Sequence, residues 1–238
     1  MVIVIKIGGS VLTPKRRGEY RLNTSLIRKI ARILYGKNIV IVLGAGSIGH
    51  KITRKVLDYD NKKKMKLAFS YIDFERMVLD ISWLLAKEKI PVFVLRCSSL
   101  FQSKINNIVL SKRLRQIMQG GFVPVLYGDV LVKRDCARIV SSDEIAAKIA
   151  NFLHATKTIF LTDMDGLMDE HGKLIGNVSK VGLRKIMTWK IEDTSGGMSK
   201  KIREIEKIHG EVFILNGYHP KRLLEVLVGK RTICTRIR

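Results

Sequence analysis

Residues 42–50 read Val42-Leu43-Gly44-Ala45-Gly46-Ser47-Ile48-Gly49-His50, "VLGAGSIGH". Their core, "GAGSIG", has the G-x-G-x-x-G spacing of a dinucleotide-binding turn. Bare amides at a strand-to-helix turn point at an anion, and the helix dipole favours negative charge there. A dinucleotide unit needs one thing more, an acidic residue ~20 positions on to hold the ribose. That window is "KKKMKLAFS", residues 62–70, and it contains no acid. The glycines therefore point to a phosphate other than that of NAD.

Working outward, the glycine turn follows "IVIVL" (39–43), one of several short β-branched runs. The others are "VIVIKI" (2–7), "PVFVL" (91–95), "FVPVLY" (122–127), "TIFLT" (158–162), "VFIL" (212–215) and "TICTRI" (232–237). Runs this continuously apolar are expected to be buried on both faces, as in a parallel sheet covered by helices. Helical patterns fill the gaps. "NTSLIRKIARIL" offers Asn23 and Thr24 as caps and sets Leu26, Ile27, Ile30, Ile33 and Leu34 on one side. Others run near 67–88, 106–119, 142–154, 198–209 and 220–228, the last opening on Pro220. This order predicts an α/β fold, a three-layer αβα sandwich on a mostly parallel central sheet. The run "DNKKKMK" (60–66) reads as a solvated loop.

The chain has 238 residues and carries 44 Lys and Arg against 21 Asp and Glu, a formal charge of +23. Such a balance attracts anions: nucleic acid, membrane surface or phosphorylated metabolites. Cys97, Cys136 and Cys234 lie far apart with no zinc spacing, so free thiols in a reducing cytoplasm are expected. No apolar run approaches the ~20 residues that span a bilayer. The opening "MVIVIKIGGS" reads as a strand, not as a signal peptide.

Four glycine turns matter more together than singly. In Lys6-Ile7-Gly8-Gly9-Ser10 a lysine ends a strand and two glycines permit a tight turn whose N–H groups could cradle phosphate. No G-K-[ST] closes it, so it is not a Walker A loop. The others are the opening stretch, Tyr127-Gly128-Asp129-Val130, and Asp193-Thr194-Ser195-Gly196-Gly197-Met198 running into Lys200 and Lys201. Beside a phosphate cradle His50 would donate a hydrogen bond, although a surface histidine in an early helical turn reads equally well. Asp143, in "SSDEIAA" (141–147), is either a helix cap or a carboxylate that orients lysines. Asp163 and Asp165, in "TDMDGL" (162–167), bracket an Asp-Gly turn or touch a ribose or metal.

With these motifs in order the chain resembles the amino acid kinase family. The match runs through "KIGGS" (6–10), "GAGSIGH" (44–50), "YGDV" (127–130), "SSDEIAA", "TDMDGL", "DTSGGMSKKI" (193–202) and "TRI" (235–237). Within the family it looks most like the archaeal branch that phosphorylates isopentenyl phosphate. The resemblance implies two lobes, residues 1–155 for the phosphoryl acceptor and 156–238 for the nucleotide. It implies ATP with Mg2+, an isoprenoid monophosphate as acceptor, and a homodimer. It implies Lys6, Lys15, His50, Asp143 and Lys201 as the catalytic set. The ATP contacts would be Lys6, Gly8, Gly9, Ser10, Thr162, Asp163, Asp165, Gly166, Gly197 and Lys201. The acceptor contacts would be Gly44, Ala45, Gly46, Gly49, His50 and Gly128. No dedicated protein metal site is implied, Mg2+ being held by phosphates and water.

An acceptor that is already a phosphate needs no general base, and the sequence offers no obvious one. An apolar tail would want an apolar wall, and "LAFSYIDFERMVL" (67–79) supplies Leu67, Phe69, Tyr71, Ile72, Phe74 and Met77. Packing of that helix on the sheet explains the same residues. Two other readings stay open. One is a kinase of UMP, fosfomycin or an acylamino acid. The other is a basic nucleic-acid-binding protein, disfavoured because the charges are spread along the chain and no aromatic platform appears.

Overall fold

A computed structural model describes residues 1–13, 21–46, 49, 64–97, 107–132, 137–189 and 197–238. In chain order the described elements are β1 (Ile3–Ile7), α1 (Gly9–Leu12), α2 (Thr24–Leu34), β2 (Ile39–Leu43), α3 (Lys64–Lys87), β3 (Val92–Val94) and α4 (Asn107–Gln119). There follow β4 (Val123–Tyr127), β5 (Asp129–Val132), β6 (Ala137–Val140), α5 (Ser142–Phe152), β7 (Lys157–Thr162) and β8 (Asn177–Val178). The chain closes with α6 (Lys180–Trp189), α7 (Gly197–Glu206), β9 (Glu211–Asn216), α8 (Pro220–Leu227) and β10 (Thr235–Ile237).

Eight strands form one sheet in the order β3-β4-β2-β1-β7-β9-β10-β8. The pairs from β3 to β9 are all parallel, and β10 runs antiparallel to β9. Alternation along the strands feeds two cores. Ile5, Ile7, Ile39, Ile41 and Leu43 join residues of α2, α3 and α8 on one face. Val4, Val40, Val42 and Phe160 join residues of α4, α5, α6 and α7 on the other. This is the three-layer sandwich expected from the apolar runs. On α2, Leu26, Ile27, Ile30 and Leu34 are buried, each contributing roughly 1.5–3 kcal/mol. Asn23 does sit at the N-cap of α2, but its side chain makes no capping bond.

Five elements were not anticipated, the four-residue α1 among them. The hairpin β5–β6 forms a separate two-stranded sheet beyond β4. The short β8 extends the sheet edge beside β10, and α6 packs on the second core through Leu183 and Ile186. The segment "TICTRI" contributes a strand only from Thr235.

Strand β1 lies at the centre. Strands β2, β4 and β3 lie on one side of it, and β7, β9, β10 and β8 on the other. The sheet order therefore reverses at β1, and in open α/β sheets ligands bind in the crevice outside the carboxyl ends of strands at such a point. Ile7, Leu43 and Leu161 are in register there, so the loops after β1, β2 and β7 leave side by side.

Candidate active site

Two of these loops touch. Gly44 N donates to Ile7 O at 2.9 Å, and Gly8 N donates to Leu161 O at 2.8 Å, stitching the three strand ends together. A Cβ on Gly9 would stand 2.2 Å from Gly46 N, and one on Gly44 would stand 2.5 Å from Gly9 N. No side chain fits between backbones this close. Gly46 also has φ +55, the left-handed region. So the glycines anticipated as separate phosphate cradles form one surface. The amides of Gly9 and Ser10 open α1 and find no acceptor within that helix.

Beside this surface lies a cluster of three charges. Lys6 is a lysine in an otherwise apolar central strand and is 4% exposed. Its Nζ lies 2.8 Å from Asp143 Oδ1. Asp143 stands in the first turn of α5, so the helix end aims it at β1. The cap itself is Ser141, whose hydroxyl accepts from Glu144 N at 3.1 Å. Asp143 is thereby free to serve the lysines. Lys201, on α7, places Nζ 3.3 Å from each oxygen of the same carboxylate.

Two ammonium groups share one carboxylate, so the cluster sums to one positive charge in a poorly solvated place. Such a charge is unfavourable until an anion meets it. Burial alone would push the Asp143 carboxyl up, but Lys6 and Lys201 outweigh it and hold it at about 2. Burial and then repulsion from Lys6 pull Lys201 down to about 8, with Asp143 opposing. A lysine lowered this far is cationic below pH 8 and loses its charge above it. The kcat/KM for the anionic nucleotide is therefore expected to fall as pH rises through about 8, since this ratio reports groups of the free enzyme. A pH–rate profile flat from pH 7 to 10 would contradict the assignment.

The loop after β7 is largely held by its own neighbours. Thr162 Oγ1 donates to Asp163 Oδ1 at 3.2 Å. Asp165 accepts from Asn216 Nδ2 at 3.0 Å and pairs with Arg222. A Cβ on Gly166 would meet Thr235 Oγ1 at 2.4 Å, so packing against β10 already requires glycine there. The sequence had not flagged Asn216, Tyr218 or Arg222. Tyr218 Oη donates to Ser10 O at 2.6 Å and ties the loop after β9 to the first glycine turn. Asn216-Gly217 after an apolar run signals a turn, but what the turn holds is not written in it. Gly49 donates its amide to Ala45 O at 3.0 Å, and Gly197 opens α7. Lys15 and His50 lie outside the described residues.

Gly128 brings the end of β4 against the start of α5. A Cβ there would stand 3.2 Å from Val140 O and 3.3 Å from Ser142 N. The next residue begins β5, which with the first turns of α3 encloses a cavity of about 240 Å³. Its walls are Leu67, Ala68, Tyr71, Val130 and Val132, with Lys64 at the edge. A cavity of ~150 Å³ holds a benzene ring, so this one has room for a five-carbon chain. Of the anticipated apolar wall, Leu67 and Tyr71 line the cavity, Phe74 and Met77 are buried in the core, and Phe69 and Ile72 face outward. Below it Tyr127 Oη donates to Glu75 at 2.6 Å, and Arg96 pairs with the same carboxylate at 2.8 Å.

The sequence profile of the amino acid kinase family matches residues 1–211. The chain belongs to the amino acid kinase family. The isopentenyl phosphate kinase of Thermoplasma acidophilum is 31% identical over 94% of this chain and 96% of its own. That of Methanocaldococcus jannaschii is 27% identical over 97% of this chain and 96% of its own. The product complex of the T. acidophilum enzyme superimposes with a TM-score of 0.81 at 25% identity, covering all of both chains. The paired glycine turns and the Lys6–Asp143–Lys201 cluster thus sit in a chain of the family's fold from end to end.

Proposed function

We propose that this amino acid kinase transfers the γ-phosphoryl group of ATP to isopentenyl phosphate, giving isopentenyl diphosphate and ADP. The observation that carries this reading is the Lys6–Asp143–Lys201 cluster, one positive charge in excess, beside the joined glycine turns. Phosphoryl transfer needs positioning and charge neutralisation more than covalent help. Two anions must meet, and their repulsion is the main obstacle. Lys6 bridges them, Lys201 and the amides of Gly9 and Ser10 hold the ATP phosphates, the Gly8 amide being already bonded to Leu161 O, and Gly44, Ala45, Gly46 and Gly49 face the acceptor phosphate. Lys15 and His50 complete the acceptor side on this reading. Residues 1–155 form the acceptor lobe and 156–238 the nucleotide lobe, with Thr162, Asp163 and Gly166 beside the nucleotide.

Among the described residues no group of three His, Cys, Asp or Glu side chains could cage a metal. On this reading Mg2+ enters on the nucleotide, held by phosphates and water, which fits its habit of keeping several waters. The apolar cavity beside β5 receives the five-carbon tail. No helix among the described residues is long and apolar enough to cross a membrane, and the thiols of Cys97 and Cys234 are free, as suits a cytoplasmic enzyme. Cys136 lies outside the described residues.

ATP turnover against a panel of isoprenoid monophosphates, UMP and fosfomycin is expected to give isopentenyl phosphate the highest kcat/KM. A preference for UMP would overturn the assignment. Ala68→Trp, at an exposed edge of the cavity, is expected to raise the KM for isopentenyl phosphate at least tenfold and leave that for ATP unchanged.

The same reading includes a homodimer. Helix α3 exposes Met65, Phe69, Ile72, Leu79 and Trp83, spaced so that they fall on one stripe. It packs beside β3, the edge of the sheet, whose exposed Phe93 meets Phe122 edge-on at 6.0 Å. A second copy covers the stripe by two-fold symmetry, the same patch serving on both subunits. Sedimentation is expected to give a dimer for the wild type and a monomer for Phe69→Glu/Trp83→Glu. A wild-type monomer would refute this part.

A further inference from the structure

The molecule holds a second concavity, larger than the first and remote from the charge cluster. It measures about 870 Å³, within the range of small-molecule sites. Lys157 and Glu211, the first residues of β7 and β9, stand at its wall. The catalytic loops leave the other ends of these six-residue strands, ~16 Å further along at ~3.3 Å per residue. The faces differ as well. Phe213, in the floor, belongs to the core beneath α2 and α8, whereas Lys6 pairs with Asp143 of α5, across the sheet. Among the described residues no helix follows α8, which ends at Leu227, over β10 and β8 on that side.

Its chemistry is one-sided. Lys157, Lys230, Arg231, Arg236 and Arg238 line it, against the single acid Glu211. The chain as a whole carries about two cations per acid, 44 to 21, so five to one is a local concentration. Glu211 is already shared by Arg236 and Arg238. Lys157 donates to Val226 O at 3.0 Å. Lys230 and Arg231 pair with no carboxylate among the described residues. The floor is apolar, made by Phe213, Val226, Val178 and Cys234. The Phe213 ring carries Arg236 at 5.5 Å and Lys157 at 5.8 Å. Concave low-dielectric walls focus such a field, and guanidinium forks match phosphate oxygens.

We infer that this cavity is a second ligand site, distinct from the catalytic one, for an organic diphosphate with an apolar body. The head lies on Lys230, Arg231 and Arg236, and the body lies on Phe213 and Val226. A prenyl chain and a purine both present such a body. The inference stands on the cavity alone and does not need the catalytic assignment.

Calorimetric titration of the full chain with geranyl diphosphate tests it. A binding event that survives Lys6→Met is expected, whether or not the catalytic site takes a second molecule. Lys230→Glu/Arg231→Glu, at exposed positions away from the catalytic cluster, should weaken that event at least tenfold and leave kcat and KM at low ligand unchanged. The absence of any binding event that survives Lys6→Met, or one unaffected by the charge reversals, would overturn the inference. Inorganic diphosphate binding there as tightly as geranyl diphosphate would also overturn it, because the apolar floor would then play no part. ADP displacing geranyl diphosphate from this site at lower concentration would identify the purine as the body. The reverse order would identify the prenyl chain.

Discussion

Lys6→Met is expected to lower kcat about 10²- to 10³-fold, the loss seen when one preorganised donor is removed from a developing charge. The melting temperature should move little. Lys6 is buried, so its loss would be costly if it left Asp143 alone. It does not, because Lys201 stays 3.3 Å from both oxygens of that carboxylate. The substitution also removes the repulsion that helps hold Lys201 at about 8, so the alkaline limb of the pH–rate profile should move upward. Methionine fills a comparable volume without charge, which separates the electrostatic loss from a packing loss. Steady-state kinetics in both substrates, with a thermal melt of the same preparation, checks this. Full kcat in the variant would remove Lys6 from the reaction. Unchanged kcat with a large fall in melting temperature would make it a structural ion pair only.

The sequence is legible where one strand carries its own message. The run "VIVIKI" shows both a doubly buried strand and the anomaly of a lysine at its end, and the structure puts that lysine in the crevice. The partner is not legible, because Asp143 lies far along the chain and its local context, two serines before a helix, already explains it as a cap. Its reading as a carboxylate that orients lysines stands beside the cap with no local feature to choose between them, and Ser141 proves to do the capping. The glycine turns were legible as turns but not as one surface, since the contact of Gly9 with Gly46 depends on β1 and β2 being neighbours.

The misses have the same physical origin. Strands β5 and β6 lie outside the main sheet, so "DVLV" and "ARIV" lack the long apolar run of the central strands β2, β4 and β7. Helix α6 buries only Leu183 and Ile186 among its described side chains and carries Gly182 in its first turn, which leaves no clear period. Asp165 read as a ribose or metal contact, yet it is engaged by Arg222 and Asn216 from elements more than fifty residues away. The strands beside β2 are β1 and β4, and the next described strand in sequence, β3, begins only at Val92.

Asp143→Asn should be the most damaging single change to the fold among the cluster residues. It leaves Lys6 and Lys201 buried together with no counter-charge. Breaking a buried pair in this way costs about 3–5 kcal/mol. For a chain of this size that lowers the melting temperature by roughly 10 °C. The sign of the pH dependence distinguishes this from a packing defect. In the wild type, the Asp143 carboxyl held at about 2 contributes stability above its unfolded range, and that contribution fades as pH falls through about 2. In the variant the carboxylate is absent, and Lys201 loses the partner that opposes its lowering. The unfolded chain then binds more protons than the folded one below the normal lysine range, so stability should rise with pH toward 10. Adding Lys6→Met to Asp143→Asn removes one of the two repelling cations. The double variant should regain part of the lost melting temperature and none of the kcat, a non-additivity expected only of groups in one network. If the two substitutions instead destabilise additively, the buried charges are not held by one another, and the cluster is not the singly positive anion site on which the kinase assignment rests.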